Sequence, residues 1–362
     1  MLGATHGGQP AQRYADHRTP LIKNAWYIAA RSSEIGRSLL GRTLLDRRVV
    51  LYRTSDGLPV ALEDRCPHRS FPLSKSRLEG DRIVCGYHGM TYEASGQCVH
   101  IPSVPDATPK LRVRSFPLVE RGPLVWIWMG DAQSDDPANI PDLSWLSDPT
   151  WTTVTGDFKI ATNYVAMHEN LLDQTHFTFL HEGTVGTPEW AAAPLEVSQD
   201  GDKVRLRREL KRSPPPGIYA APMGVEGRLV DRTSEATFIG PAGHVAFATI
   251  ANVEPATQHA SYRVNIAHLF TPETQSSIHY WWFNSRDFAL DDPQASAFLR
   301  DSSQRAYAED VEALEWISQI VNATSDLHEV SFRSDRPGLL MRQKLLQMAN
   351  AETTSVPIGA VA

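Results

Sequence analysis

The sequence predicts an α+β protein in two parts. A small all-β domain carries a metal centre, and a larger α+β domain follows in which strands are enclosed by helices. Three observations predict this. Short extended runs separated by turn residues fill the chain from Asn24 to about Trp128. Within them, Cys66-Pro67-His68 and Cys85-Gly86-Tyr87-His88 present two thiol–imidazole pairs separated by sixteen residues. Beyond Pro149 the texture changes to a helix, a long strand-rich region and a long amphipathic helix.

Composition narrows the classes. A chain of 362 residues, 41% hydrophobic, is long enough to fill two cores. The net charge of −7, with no long basic run, argues against nucleic-acid binding. Two of the three cysteines lie in the paired motif, and Cys98 remains as a small buried apolar residue. No disulfide framework is available, so a reducing cytoplasm is expected. The first twenty residues lack the apolar core of a signal peptide, and no run approaches the ~18 apolar residues of a membrane span.

In chain order, residues 1–22 read as a flexible segment, with His6 and His17 on the surface. The first domain, 23–132, has strands at Leu44-Leu45, Val49 to Tyr52, Val60 to Leu62, Ile83-Val84 and Leu124 to Trp128. Ser55-Asp56-Gly57 supplies a hairpin turn. The stretch Gly130 to Pro149, with five Asp and three Pro, marks the boundary. The second domain, 133–350, is expected to open with a helix from about Tyr164 to Phe179, limited by Gly183. Strands then run from Leu195 to about Phe283, interrupted at Pro214-Pro215-Pro216, and His268 and His279 to Phe283 fall on pocket strands. A long helix from about Gln294 to Val321 shows an apolar stripe of Tyr307, Val311, Leu314, Ile317 and Val321. A short helix over Leu339 to Ala349 and a tail, 351–362, complete the chain.

Two constellations carry chemistry. Cys66, His68, Cys85 and His88 suit either tetrahedral zinc or a Rieske [2Fe–2S] cluster, in which two His replace two Cys on one iron. Spacing alone leaves both open. The second set, Asp173, His176 and His181, lies on the first helix of the second domain. Asp173 and His176 share a face at i and i+3. His181 lies about 140° further round an ideal ~3.6-residue turn. Two imidazoles can share one ion only if the helix ends or distorts near Phe179. Two His and a carboxylate with open positions form the facial triad of non-haem iron oxygenases. The carboxylate assigned is Asp310, because it sits on the apolar stripe, where a lone charge is costly. Asp301 is its rival, while Glu309, Glu312 and Glu315 fall toward the polar side.

These residues resemble the oxygenase (alpha) subunit of Rieske non-haem iron oxygenases, in the vanillate O-demethylase and dicamba monooxygenase branch. The resemblance runs from about Ala25 to Glu352 and rests on Cys66-x-His68…Cys85-x-x-His88 and Asn170-x-x-Asp173-x-x-His176-x4-His181. The Glu309-Asp310 pair and the tail from Ser334 through Arg342 also match. Gly86 and Met90 depart from the broader family, which often has Pro and Trp there. The resemblance implies a helix-grip (START-like) second domain with an antiparallel sheet. It implies a cluster on Cys66, His68, Cys85 and His88 and a mononuclear Fe(II) on His176, His181 and Asp310. It further implies a head-to-tail trimer in which His88 meets Asp173 of a neighbour, itself in contact with His176.

The function implied is that of a terminal oxygenase using O₂ to hydroxylate or O-/N-demethylate a small aromatic compound. Cis-dihydroxylation is the alternative within the class; an electron carrier or a zinc-binding protein lie outside it. No flavin or nicotinamide fingerprint occurs in the chain, so NAD(P)H acts through a separate reductase or ferredoxin. Substrate identity is open. Arg207, Arg228, Arg263 and Arg286 are each candidates to clamp a carboxylate or to sit on the surface.

Overall fold

The computed structural model describes residues 13–106, 110–131, 134–253, 260–324 and 327–354. The expected boundary at 132/133 and most of the expected tail lie outside them.

The first domain contains β1 (Trp26–Arg31), β2 (Leu40–Leu44), β3 (Arg47–Arg53), β4 (Pro59–Glu63) and β5 (Arg77–Glu79). It continues with β6 (Arg82–Val84), β7 (Thr91–Tyr92), β8 (Cys98–His100), β9 (Leu118–Arg121) and β10 (Leu124–Trp128). They form three small antiparallel sheets, ordered β1-β10-β9, β2-β3-β4 and β5-β6-β7-β8. The aromatic and aliphatic runs of β1 and β10 are buried throughout and fuse with the core of the second domain. A separate small core, built on Val50, Tyr52, Leu62, Leu73 and Ile83, also takes in Cys66, Cys85 and Cys98. A tight turn closes at Gly96, whose N–H donates to the Glu93 carbonyl at 2.8 Å. A Cβ on Gly96 would meet the Val113 carbonyl oxygen at 2.1 Å, and its φ of +83° suits glycine alone.

The second domain opens with β11 (Thr152–Ile160), not with a helix. Next come α1 (Tyr164–Leu172), α2 (Phe177–Leu180), β12 (Leu195–Asp200), β13 (Lys203–Ser213) and α3 (Gly217–Met223). Then follow β14 (Val230–Phe238), β15 (Gly243–Asn252), β16 (Ser261–Thr274), β17 (Ser277–Arg286), α4 (Pro293–Ala323) and α5 (Arg336–Thr354). The strands form one seven-stranded antiparallel sheet, ordered β11-β17-β16-β15-β14-β13-β12. The chain leaves one edge at β11, crosses through α1 and α2, and meanders back from the far edge. That path sets α1, then α4, against the sheet. Asn163 starts α1 by accepting from the Val165 N–H, and Asp292 starts α4 by accepting from Gln294 and Ala295, with Pro293 in the first turn.

Three expectations are corrected. Residues 13–22 are packed: Ala15, Thr19, Leu21 and Ile22 are buried, and the Ala15 N–H donates to the Arg342 carbonyl. The helix expected to reach Phe179 ends at Leu172, where Asp173 turns extended at φ −99°, ψ 107°. The buried face of α4 is Leu299, Ser302, Ser303, Ala306, Asp310 and Leu314, whereas Ile317 is half exposed. Small residues let α4 approach the sheet closely, a signal that an apolar stripe does not contain. The domains are tied by backbone bonds: Leu45 N–H to Pro272 O at 2.7 Å and Asp46 N–H to Glu273 O at 2.9 Å.

Candidate metal centres and active site

The turn after β4 and the turn after β6 carry the Cys/His quartet. Cys66 and Cys85 are buried side by side in the small core, while His68 and His88 are exposed. The two imidazole rings pair with centroids 4.6 Å apart. Thiols thus pair with thiols and rings with rings; the four do not converge on one point as a zinc site requires. Burial, opposed by the N–H groups of Tyr87 and His88, leaves the Cys85 thiol raised. The Tyr92 hydroxyl lies 3.2 Å from Cys66 Sγ and 3.5 Å from Met90 Sδ.

The second set does converge. Ending α1 at Leu172 and restarting at Phe177 turns His176 and His181 toward each other, with ring centroids 5.2 Å apart. From α4, Asp310 Oδ1 comes within 3.4 Å of His176 Nε2 and 3.2 Å of His181 Nε2. Among the described residues these three form the one group whose ligand atoms all lie within 4.8 Å. Asp301 stays on the exposed face of α4. Three matching residues stand behind the three candidates. Asp173 Oδ2 lies 3.6 Å from His176 Nδ1, Glu309 Oε2 lies 2.7 Å from His181 Nδ1, and Asn170 Nδ2 donates to Asp310 Oδ1 at 2.9 Å.

Family models match two stretches of the chain: Rieske [2Fe-2S] domain over 25–117, and vanillate O-demethylase oxygenase C-terminal domain over 160–351. A putative toluene-4-sulfonate monooxygenase iron–sulfur subunit of Comamonas testosteroni is 35% identical, over 92% of this chain and 99% of its own. The oxygenase component of dicamba O-demethylase from Stenotrophomonas maltophilia is 35% identical, over 81% of this chain and 88% of its own. The crystal structure of dicamba monooxygenase bound to 3,6-dichlorosalicylic acid superposes with a TM-score of 0.87 at 32% identity, covering 92% of this chain and 99% of that one. This chain belongs to the Rieske non-haem iron oxygenases of the vanillate O-demethylase branch.

It is therefore an oxidoreductase, the oxygenase component of a multicomponent monooxygenase system, with a [2Fe–2S] cluster and a mononuclear non-haem iron. Both sites fit those groups. A [2Fe–2S] cluster needs two thiolates at one end and two imidazoles at the other, the pairing seen. At the second site His176 Nε2 is buried without a hydrogen-bond partner, aimed where His181 Nε2 and Asp310 Oδ1 meet. Burial alone would raise Asp310; His176 and His181 outweigh it and hold the carboxyl well below its ordinary value. Burial likewise opposes charging of His176, but Asp173 and Asp310 raise it to about 9.

Beside these residues lies a mostly apolar cavity between α1, α4 and the sheet. It is lined by Phe177, Ile218, Tyr219, His244, His268 and Tyr307, among others. His268 is thus a cavity residue, as expected, whereas His279 points away and donates to the Thr43 carbonyl. None of the four arginines singled out from the sequence lines the cavity. Arg207 pairs with Glu209 and Glu235, and Arg263 with Asp287. Arg228 is exposed, and Arg286 is bound to the carbonyls of Phe288 and Ala289. Met90 is buried beside Tyr92. A Cβ at Gly86 would lie 3.2 Å from the Phe71 ring, so the departures from the family pattern sit within the cluster's own packing. No helix among the described residues is long and apolar enough to cross a membrane.

Proposed function

We propose that this oxygenase adds one atom of O₂ to a small aromatic compound, by hydroxylation or by O- or N-demethylation, using electrons from a separate NAD(P)H-dependent reductase. The observation that carries this reading is the convergence of His176, His181 and Asp310 against an apolar cavity. In it Cys66 and Cys85 hold one iron of the cluster and His68 and His88 the other. His176, His181 and Asp310 hold the mononuclear iron. When bound, the cluster supplies electrons singly and the mononuclear iron activates O₂. The chain's own residues keep that chemistry in place. Asp173, Glu309 and Asn170 fix the orientation of the three ligands, and the cavity wall excludes water from the substrate. Relatives named for O-demethylation and for toluene-4-sulfonate monooxygenation favour this over cis-dihydroxylation.

The reading extends to assembly. Asp173 is the electron bridge and the working unit a head-to-tail trimer, in which His88 reaches the neighbour's Asp173. His88 is exposed, and the Asp173 carboxylate is 37% exposed in a recess that also holds Glu169, Val330 and Arg342. No hydrogen bond or ion pair between described residues joins the two within one chain, and Val330 is 78% exposed beside the bridge. The domains run 23–132 and 133–350, and the location is cytoplasmic.

The deciding experiment is absorption and EPR spectroscopy of anaerobically purified protein, with iron, acid-labile sulfide and zinc assayed together. A Rieske signal with about three irons per chain, two in the cluster and one at the facial triad, is expected. Zinc without sulfide would end the oxygenase reading. Two irons and no third would leave an electron carrier.

A further inference from the structure

Tyr92 is a buried phenol that the assignments above leave without a task. It ends β7, where its backbone pairs with Ile83 of β6 and Cys98 of β8. The Cys85 N–H donates to the Met90 carbonyl at 2.8 Å, which ties the start of this segment to the second cysteine loop. The ring is thereby fixed in the small core, buried with Cys66, Cys85 and Met90. A buried phenol needs a partner for its hydroxyl proton. Tyr92 meets two, and both are sulfur: Cys66 Sγ at 3.2 Å and Met90 Sδ at 3.5 Å. Among the described residues, no other side-chain hydroxyl or amide bonds the sulfur of Cys66 or Cys85. Cys85 is served instead by the N–H groups of Tyr87 and His88.

The direction of this hydrogen bond follows from the chemistry of the cysteine. As a free thiol, Cys66 can donate or accept. As a metal ligand it is a thiolate and only accepts, so the proton comes from Tyr92. A phenol of ordinary pKa about 10 keeps that proton at neutral pH. Of the two sulfurs, the charged thiolate is the stronger acceptor and the neutral thioether the weaker. A donor on a ligand sulfur favours the reduced cluster, which carries one more negative charge, over the oxidised one. We propose that Tyr92 tunes the cluster: its hydroxyl donates to Cys66 Sγ and raises the reduction potential, and Met90 draws off a lesser share of the proton. One electron enters and leaves in this couple, and Tyr92 keeps its proton in both states. Loading by the reductase is thereby eased, and onward transfer is less strongly driven. The inference rests on Cys66 and Cys85 being cluster ligands, and it is independent of substrate and of assembly.

The test is the midpoint potential of the purified holoenzyme, by dye-mediated spectroelectrochemical titration at one fixed pH. Wild type, Tyr92→Phe, Met90→Leu and the double variant are compared. Tyr92→Phe keeps the ring and removes the donor. It should lower the reduction equilibrium constant about tenfold, about 59 mV for a one-electron couple. Met90→Leu should hold the potential level or raise it, since Cys66 then takes the whole proton, and the double variant should match Tyr92→Phe. An unchanged potential in Tyr92→Phe overturns the proposal. So does an equal fall in Met90→Leu, which would assign the effect to packing around the cluster. If Tyr92→Phe does not hold the cluster, a ring-fluorinated tyrosine in place of Tyr92 decides. It keeps the hydroxyl and makes it a stronger donor, so the potential should rise, and a level or lower value overturns the proposal. Iron and sulfide are assayed on every sample. Wild type lacking both would refute the cluster assignment, a result distinct from a cluster whose potential ignores Tyr92.

Discussion

Glu309 and Asp310 are adjacent on α4, yet one backs a ligand and the other is placed to be one. Asp310 supplies the carboxylate where the two imidazoles meet, and Glu309 accepts at His181 Nδ1, which directs Nε2 to the same point. Asp310→Ala is expected to lose the mononuclear iron and keep the cluster's colour, so total iron falls from about three to about two per chain while sulfide is unchanged. Glu309→Gln should be milder, weakening iron retention by roughly 10- to 100-fold against a chelator with the cluster signal intact. The residue types of the site were legible because thiols, imidazoles and carboxylates at short spacings have few other uses. The role of Glu309 was not. A charge on the polar side of an amphipathic stripe reads as solvated until the partner helix is in place.

Buried histidines add a pH dependence at the same scale. His168 Nδ1 and His244 Nε2 lie 2.7 Å apart in the core, among Phe238 and Phe270. Burial lowers His168 to about 3 and His244 well below its ordinary value. Both are neutral in the folded chain, but in the unfolded chain they take up protons below about 6.5. The unfolded state then binds more protons, so stability falls as pH drops from about 6.5 toward 3, by up to about 1.4 kcal/mol per pH unit for each ring. Urea midpoints measured at pH 7 and pH 5 check this. His168→Phe should flatten the decline, and an unchanged slope would show that carboxylates dominate it.

At the scale of elements, the break between α1 and α2 makes the site. A continuous helix would put His176 and His181 about 140° apart by the ~3.6-residue turn. The sequence shows that a break is required but not where it falls, because Asp173 to Thr175 contain no Gly or Pro to mark it. Tertiary contacts set it instead: Asp173 Oδ1 caps the Thr175 N–H at 2.6 Å, and Arg208 Nη2 donates to Thr175 Oγ1. After α2 the chain folds tightly back. A Cβ on Gly186 would lie 1.8 Å from the Phe177 carbonyl oxygen and 3.1 Å from that of His181. Gly186→Ala is therefore expected to cost on the order of 1–3 kcal/mol and to displace His181. Thermal unfolding together with iron content tests it, and an alanine variant with full iron and unchanged stability would show that the loop has room. β11 was also missed in the sequence: the boundary was read as ending at Pro149 and the first helix as starting near Tyr164, and Thr152 to Ile160 between them declares itself a strand only by pairing with β17. The meander β12 to β17 was legible as a strand-rich region from Leu195 to about Phe283: β13 alternates along its length, whereas β16 and β17 carry long buried runs that no alternation marks.

For the whole molecule, the question is whether electrons stay within one chain. His88 presents an exposed ring on the first domain, and Asp173 a partly exposed carboxylate on the second, with no described bond between them in the chain. The closed head-to-tail ring proposed above would supply the missing contact by symmetry. Its first consequence is a particle of three times the 40.2 kDa chain mass, measurable by light scattering. Its second is that Asp173→Asn keeps both metals yet loses nearly all coupled turnover, since the amide cannot hold two imidazoles as a carboxylate does. The sharper test uses two variants that are each inactive. Cys66→Ala lacks the cluster and keeps the iron site; Asp310→Ala lacks the iron and keeps the cluster. Coexpressed in equal amounts, they place an intact cluster beside an intact iron at about one interface in four of a head-to-tail ring. Activity near a quarter of wild type is then expected if electrons cross between chains. If they travel within a chain, every mixed particle is dead, because no single chain holds both centres.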